Sequence, residues 1–180
     1  MKILITFLII FFYSSIKANS INVIRDAEIE NLLNDISKIL VRGTQLENDV
    51  LTFYLDNQKF INALVTPDKK FFFTTELLLK SKNVEDVAGV ISHEIGHVIG
   101  GHFQKRQKKM EKNSVINVLS SILAVGAIAG GAYNAGTAIL MGGQHLGTSR
   151  MLSFSRSQES LADQTAIRLL KRNGFSLQGL

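Results

Sequence analysis

Cysteine is absent from the 180 residues. That excludes a disulfide framework, a thiolate metal site and the lipid-modified cysteine of a lipoprotein, so any metal must be held by histidine and carboxylate. Proline occurs once, at Pro67. Charge is missing from two long stretches. Between Val87 and Gln104 the only formally charged side chain is Glu94, and residues 113–149 contain no Asp, Glu, Lys or Arg. The net charge of +5 would fall to +3 on removal of Lys2 and Lys17 with the first 18 residues, which contain no acid. This excess is too small to favour nucleic acid, and no nucleic-acid-binding motif accompanies it.

What is present suits one domain with processing segments, since the length is enough for one core and short for two. "MKILITFLIIFFYSSIKANS" carries a lysine, an apolar run from Ile3 to Tyr13, then small and polar residues to Ala18. That order predicts a signal peptide over 1–18 and export; the alternative is an uncleaved signal anchor. Ile29, Leu32, Leu33, Ile36 and Leu40 recur at helical spacing, with Gly43 beyond the end. "VLTFYL", "INALV" and "KFFFTT" are short, β-branched or aromatic, and separated by turn residues. They predict three antiparallel strands, with Pro67 in the second turn.

Asn83 is placed to cap the next helix, with Glu85 and Asp86 in its first turn. The apolar pattern runs on through Gln104, so this helix is expected to be buried and to emerge at the basic "KRQKKMEK". For 113–149, rich in Gly, Ala and Ser, three readings compete: a transmembrane helix or hairpin, an amphipathic segment on a membrane or over a cleft, and a flexible loop. The glycines favour a helical, small-residue segment covering part of the site. The basic run before it would suit an anionic membrane surface, giving possible peripheral contact through 105–149. "SRSQESLADQTAIRLLKRNG" reads as a final helix ended by Gly174, with Glu159, Ala162, Asp163, Ala166, Leu169 and Leu170 on one face.

The chemistry lies in "HEIGH", residues 93–97. His93 and His97, four apart on a helix, point the same way and can grip one ion. Zinc suits neutral imidazole and carboxylate oxygen. Glu94, about 100 degrees round the helix, is placed for proton transfer rather than ligation. A third ligand is needed. His102, five residues beyond His97, should point elsewhere on a continuous helix, whereas Glu159 lies on the inner face of the last helix. Asp163, one turn on, is the natural carboxylate to orient one of the histidines.

Three stretches, "INALVTPDKKFFFTTELL" (61–78), "EDVAGVISHEIGHVIGGH" (85–102) and "SRSQESLADQTAIRLLKRNGF" (155–175), resemble in order the gluzincin metallopeptidases of family forty-eight. This is the HtpX, BepA and CAAX-prenyl-protease type, and the periplasmic BepA branch is the most similar. The resemblance implies an α+β, mainly helical zincin-type domain over 19–180, with a small sheet and an active-site helix carrying HExxH. It implies one zinc per chain on His93, His97 and Glu159, Glu94 as general base and acid, and Asp163 supporting a zinc-binding histidine. A substrate strand around Asn62 and Ala63 would border the cleft. The implied activity is endopeptidase cleavage of unfolded or misassembled envelope polypeptides in the periplasm. A chaperone or assembly factor that retains the zinc site is the alternative.

Two departures accompany it. Such proteins continue with further helices and tetratricopeptide repeats, so the domain reads as C-terminally truncated at Leu180. The residue that stabilises the oxyanion has no evident counterpart; His145, Arg150 and Arg156 are the basic groups that could replace it.

Overall fold

The computed structural model describes residues 22–179; the expected signal peptide lies outside them. A short strand β1 (Val23–Ile24) leads into helix α1 (Ala27–Val41). Asp26 caps α1 through the backbone N–H groups of Glu28 and Ile29, and Leu33, Ile36 and Leu40 bury its inner stripe. Strands β2 (Thr52–Asp56), β3 (Ala63–Val65) and β4 (Lys70–Thr74) follow, then the short helix α2 (Thr75–Lys80).

The sheet corrects the sequence reading. It has four strands in the order β1-β2-β4-β3, and β2 and β4 run parallel. Three antiparallel strands in sequence order would have put β3 in the middle. Instead β4, whose Phe71 and Phe73 are fully buried, takes the inner position beside β2, and three-residue β3 is left at the edge. The strand with most apolar surface to bury gains most from two neighbours. Phe53 of β2 stacks on Phe71 at 4.9 Å between ring centroids, and these rings meet Leu33, Leu40, Ile91, Ile95 and Leu170 in one core.

Helix α3 (Val84–Ile99) is capped by Asn83, whose side chain accepts from the Asp86 backbone N–H. No residue from Val87 to Phe103 is exposed, as the near absence of charge there requires. The helix ends sooner than its apolar pattern, however. Gly101 adopts φ +59°, a left-handed conformation that glycine takes without penalty, and the chain turns into a new helix, α4 (His102–Ala129). After a turn at Gly130 and Gly131, α5 (Tyr133–Arg172) returns as one 40-residue helix. A 3₁₀ turn at Leu177–Gly179 closes against the start of α3.

The segment 113–149 is therefore helical, as expected, but it lies against itself rather than over a site. Within it only Ala124 and Gly136 are buried.

Candidate metal centre

Helix α3 carries the HEIGH motif against α5, and one glycine sets their separation. A Cβ added at Gly96 would lie 2.7 Å from the Ala162 carbonyl oxygen and 2.9 Å from its Cα, so the two backbones touch at this point. The approach brings Glu159, one turn before Ala162, up to the histidines. The Glu159 Oε2 atom lies 3.4 Å from Nε2 of both His93 and His97. The two Nε2 atoms are 3.1 Å apart.

These three edges fit a cation. Bonds of about 2.05 Å in a tetrahedral zinc shell separate the ligands by about 3.3 Å. The hydrogen bonds behind the ring also fit. His93 Nδ1 faces Asp163 Oδ1 at 2.8 Å. A proton on this nitrogen, donated to the carboxylate, leaves the His93 Nε2 lone pair bare. His97 Nδ1 faces Nδ1 of His102 at 2.9 Å. If His97 donates here, its Nε2 is bare too, and His102 must carry its own proton on Nε2. Two bare nitrogens and a carboxylate oxygen then converge within 3.4 Å, an arrangement that a positive ion stabilises.

His102 is the residue that sequence reasoning missed. On a continuous helix it would point away, but the break at Gly101 folds it back onto His97. Its ring fills the space over Gly100, where an added Cβ would meet Nε2 at 2.2 Å. Gln158, the residue before Glu159, donates from Nε2 to the His102 carbonyl at 3.0 Å and fixes the turn from the other side. His102 is buried, and its Nε2 has no hydrogen-bond partner among the described residues. The pair of glycines at 100 and 101 was the available signal that the helix stops here.

Glu94 sits beside the three-residue cluster. Burial pushes its carboxyl above the ordinary carboxylate range and Glu159 adds to the shift, while His93 and a backbone hydrogen bond from Val65 oppose it. Burial likewise holds His97 below its usual imidazole value, with Glu159 opposing. Burial and the neighbouring His97 do the same to His102. Both shifts favour neutral rings, the form that binds metals. Glu159 and Asp163 are about half exposed, at 53% and 56% of their side chains, so the cluster opens to solvent on that side.

Edge strand β3 lies on the other flank. Its neighbour Asn62 is turned into the sheet: the Asn62 carbonyl accepts from the Thr74 backbone N–H at 3.1 Å, and its N–H donates to Thr74 Oγ1 at 3.0 Å. Alternation along an antiparallel ladder then directs the backbone groups of Ala63 and Val65 outward, in line with the Val65 contact to Glu94. Of the two residues expected to border a cleft, Ala63 presents an edge that is free among the described residues and Asn62 is already paired. Arg150 and Arg156 lie on α5, exposed.

The chain is similar to known proteins. Residues 24–180 match Peptidase family M48. The Beta-barrel assembly-enhancing protease of Escherichia coli (strain K12) is 28% identical over 160 residues, which is 87% of this chain and 32% of that protein. The protein of the same name from Yersinia pestis is 28% identical over 172 residues, 94% of this chain and 35% of its own length. Metalloprotease YcaL of Escherichia coli (strain K12) is 31% identical over 113 residues, covering 57% and 38%. The chain spans about a third of the length of these relatives.

Proposed function

The chain belongs to Peptidase family M48, and on that premise we propose that it is a zinc-dependent endopeptidase acting on unfolded or misassembled polypeptides of the cell envelope. The observation that carries this reading is the triangle of His93, His97 and Glu159 with its 3.1 and 3.4 Å edges, beside a half-buried Glu94. These three residues would hold one Zn2+ per chain. When bound, zinc acts as a Lewis acid toward the scissile carbonyl and the attacking water.

The remaining work falls to the chain's own groups. Asp163 and His102 hold the two imidazoles with their Nε2 lone pairs facing Glu159. Glu94, ionised, takes a proton from the attacking water and passes it to the leaving amine; its raised proton affinity suits both halves of that task. The outward backbone groups of Ala63 and the Val65 carbonyl would pair with an extended peptide as an added strand. The names of the relatives support an envelope location, so this protein is read as exported, periplasmic and associated with the membrane.

Glu94→Gln tests the proposal. The variant should retain its metal and lose casein cleavage by about 10²- to 10⁴-fold. Cleavage at the parent rate would overturn the assignment of Glu94.

A further inference from the structure

The helical hairpin of α4 and α5 is built inside out for a protein in water. Its seam is made mostly of small residues: Ala124 is fully buried, and Gly136 lets the arms close on Ile128, since a Cβ there would meet Ile128 Cγ1 at 2.5 Å and the Ala124 carbonyl at 2.7 Å. Further down, a Cβ at Gly143 would lie 3.2 Å from Ser120 Oγ, and one at Gly147 would lie 3.7 Å from Asn117 Oδ1. Most of the large side chains point the other way. Leu119, Ile122, Leu123 and Val125 on α4 are 55–65% exposed, and Met141 on α5 is 75% exposed. In water the hydrophobic effect would turn this pattern round, placing the leucines in the seam. Close small-residue contacts with large apolar residues outside are what helices adopt when their surroundings are as apolar as leucine.

Charge changes abruptly along the same hairpin. From Asn113 to Ser149 there is no formal charge. At the base stand Lys105, Arg106, Lys108, Lys109 and Lys112 on α4, with Arg150 and Arg156 on α5. Asn113 and Arg150 line one cavity, so the basic residues of the two arms lie at the same level. From there to the tip each arm has 17 residues, 113–129 and 133–149, or about 25 Å at 1.5 Å per residue. A bilayer's hydrocarbon core is about 30 Å thick.

We propose that this hairpin enters one leaflet and most of the core of an anionic lipid bilayer, tip first, and that the basic collar rests among the headgroups. This deepens the membrane association included in the proposed function, since it names the segment, its depth and the lipid charge. The peptidase site would then sit just outside the collar, through the neck where Gln158 meets the His102 carbonyl.

The absence of native cysteine makes a depth probe straightforward. In the full chain carrying Glu94→Gln, Val125→Cys near the tip and, separately, Lys38→Cys on α1 would carry an environment-sensitive fluorophore. Each would be mixed with phosphatidylglycerol-containing vesicles and with pure phosphatidylcholine vesicles. The Val125 probe should shift to the blue on anionic vesicles and be quenched by lipids labelled deep in the acyl chains, whereas the Lys38 probe should do neither. Because the readout is local, binding through the N-terminal apolar run does not imitate it. Half-saturation should need about tenfold more phosphatidylcholine than anionic lipid, and the difference should shrink in high salt. Leu119→Lys with Leu123→Lys should abolish the shift while leaving the helical circular dichroism unchanged.

A Val125 probe that stays in water with vesicles present would overturn the inference. So would a blue shift that appears without lipid and grows with protein concentration, because the apolar face would then be covered by a second copy. Neither result depends on catalysis, so failure here and failure of the peptidase reading can be told apart.

Discussion

Gly96→Ala asks whether the contact between α3 and α5 sets the metal centre. The new Cβ would lie 2.7 Å from the Ala162 carbonyl oxygen, where ordinary contact begins at 3.4 Å. The helices must therefore part by 3.4 − 2.7, or about 0.7 Å, at a point one turn from Glu159. The opposing atoms are backbone, so no rotamer change relieves the clash, and Ala162→Gly should not rescue the variant. Metal sites tolerate about 0.2 Å in ligand distance. The displacement exceeds that and moves Glu159 and Asp163 together, since both ride on α5. Zinc affinity should fall at least 10- to 100-fold, the range seen when supporting groups are lost. Stability should change far less. Overpacking costs about 1–3 kcal/mol, and replacing a mid-helix glycine returns about 1 kcal/mol. The net loss is about 0–2 kcal/mol. Competition against a chromophoric chelator gives the affinity, and thermal unfolding of the metal-free protein gives the stability. Parent-like zinc affinity in a folded Gly96→Ala protein would refute the claim that this glycine positions the third ligand.

Other expectations are as direct. Asp163→Ala and His102→Phe each remove the group behind one imidazole, and each should weaken zinc binding about 10- to 100-fold by the same competition measurement. In His102→Phe the ring volume over Gly100 is kept, so loss of affinity without loss of folding would isolate the hydrogen bond to His97. The Glu30 carboxylate accepts from Arg25 at 2.7 and 2.9 Å, and this hydrogen bond to Arg25 holds its pKa below the usual 4.5. Its contribution to stability is therefore complete above pH 4.5 and is lost as pH falls through the lower, folded value. Melting temperatures of the parent and Glu30→Gln should differ at pH 7 and converge in acid; a constant gap would show that protonation of Glu30 is not involved.

Much of the candidate metal centre was legible because its spacing is local. His93 and His97 share a helix face by being four apart, and so do Glu159 and Asp163, so each pair can be read without knowing the fold. That the two faces meet depends on Gly96 and Ala162, where smallness is a weaker signal than charge. His102 was misread because an apolar pattern continues unbroken across Gly100 and Gly101, and periodicity cannot report a change of axis. The sheet order was hidden for a related reason. Strand character is written in each segment, whereas the insertion of β4 between β2 and β3 is decided by how much apolar surface each strand has to bury. The seam and outer face of the hairpin were equally hard to see, because residues 113–149 contain no charged residue to mark a solvent side.

The hydrogen bond from Gln158 to the His102 carbonyl, which spans 56 positions in the chain, divides the protein into a body and an excursion. Beyond Phe103, which still packs on the core, the chain leaves the body and returns to it at one neck, and the proposed ligating and proton-transferring groups all lie outside the excursion. The hairpin is thus a cassette in the topological sense: its length and surface can vary while the entry and exit points, and the site they adjoin, stay fixed. A soluble helical hairpin of equal register grafted between the same two residues should leave the metal centre intact, so that the place where the protein works and the chemistry it performs there can be altered one at a time.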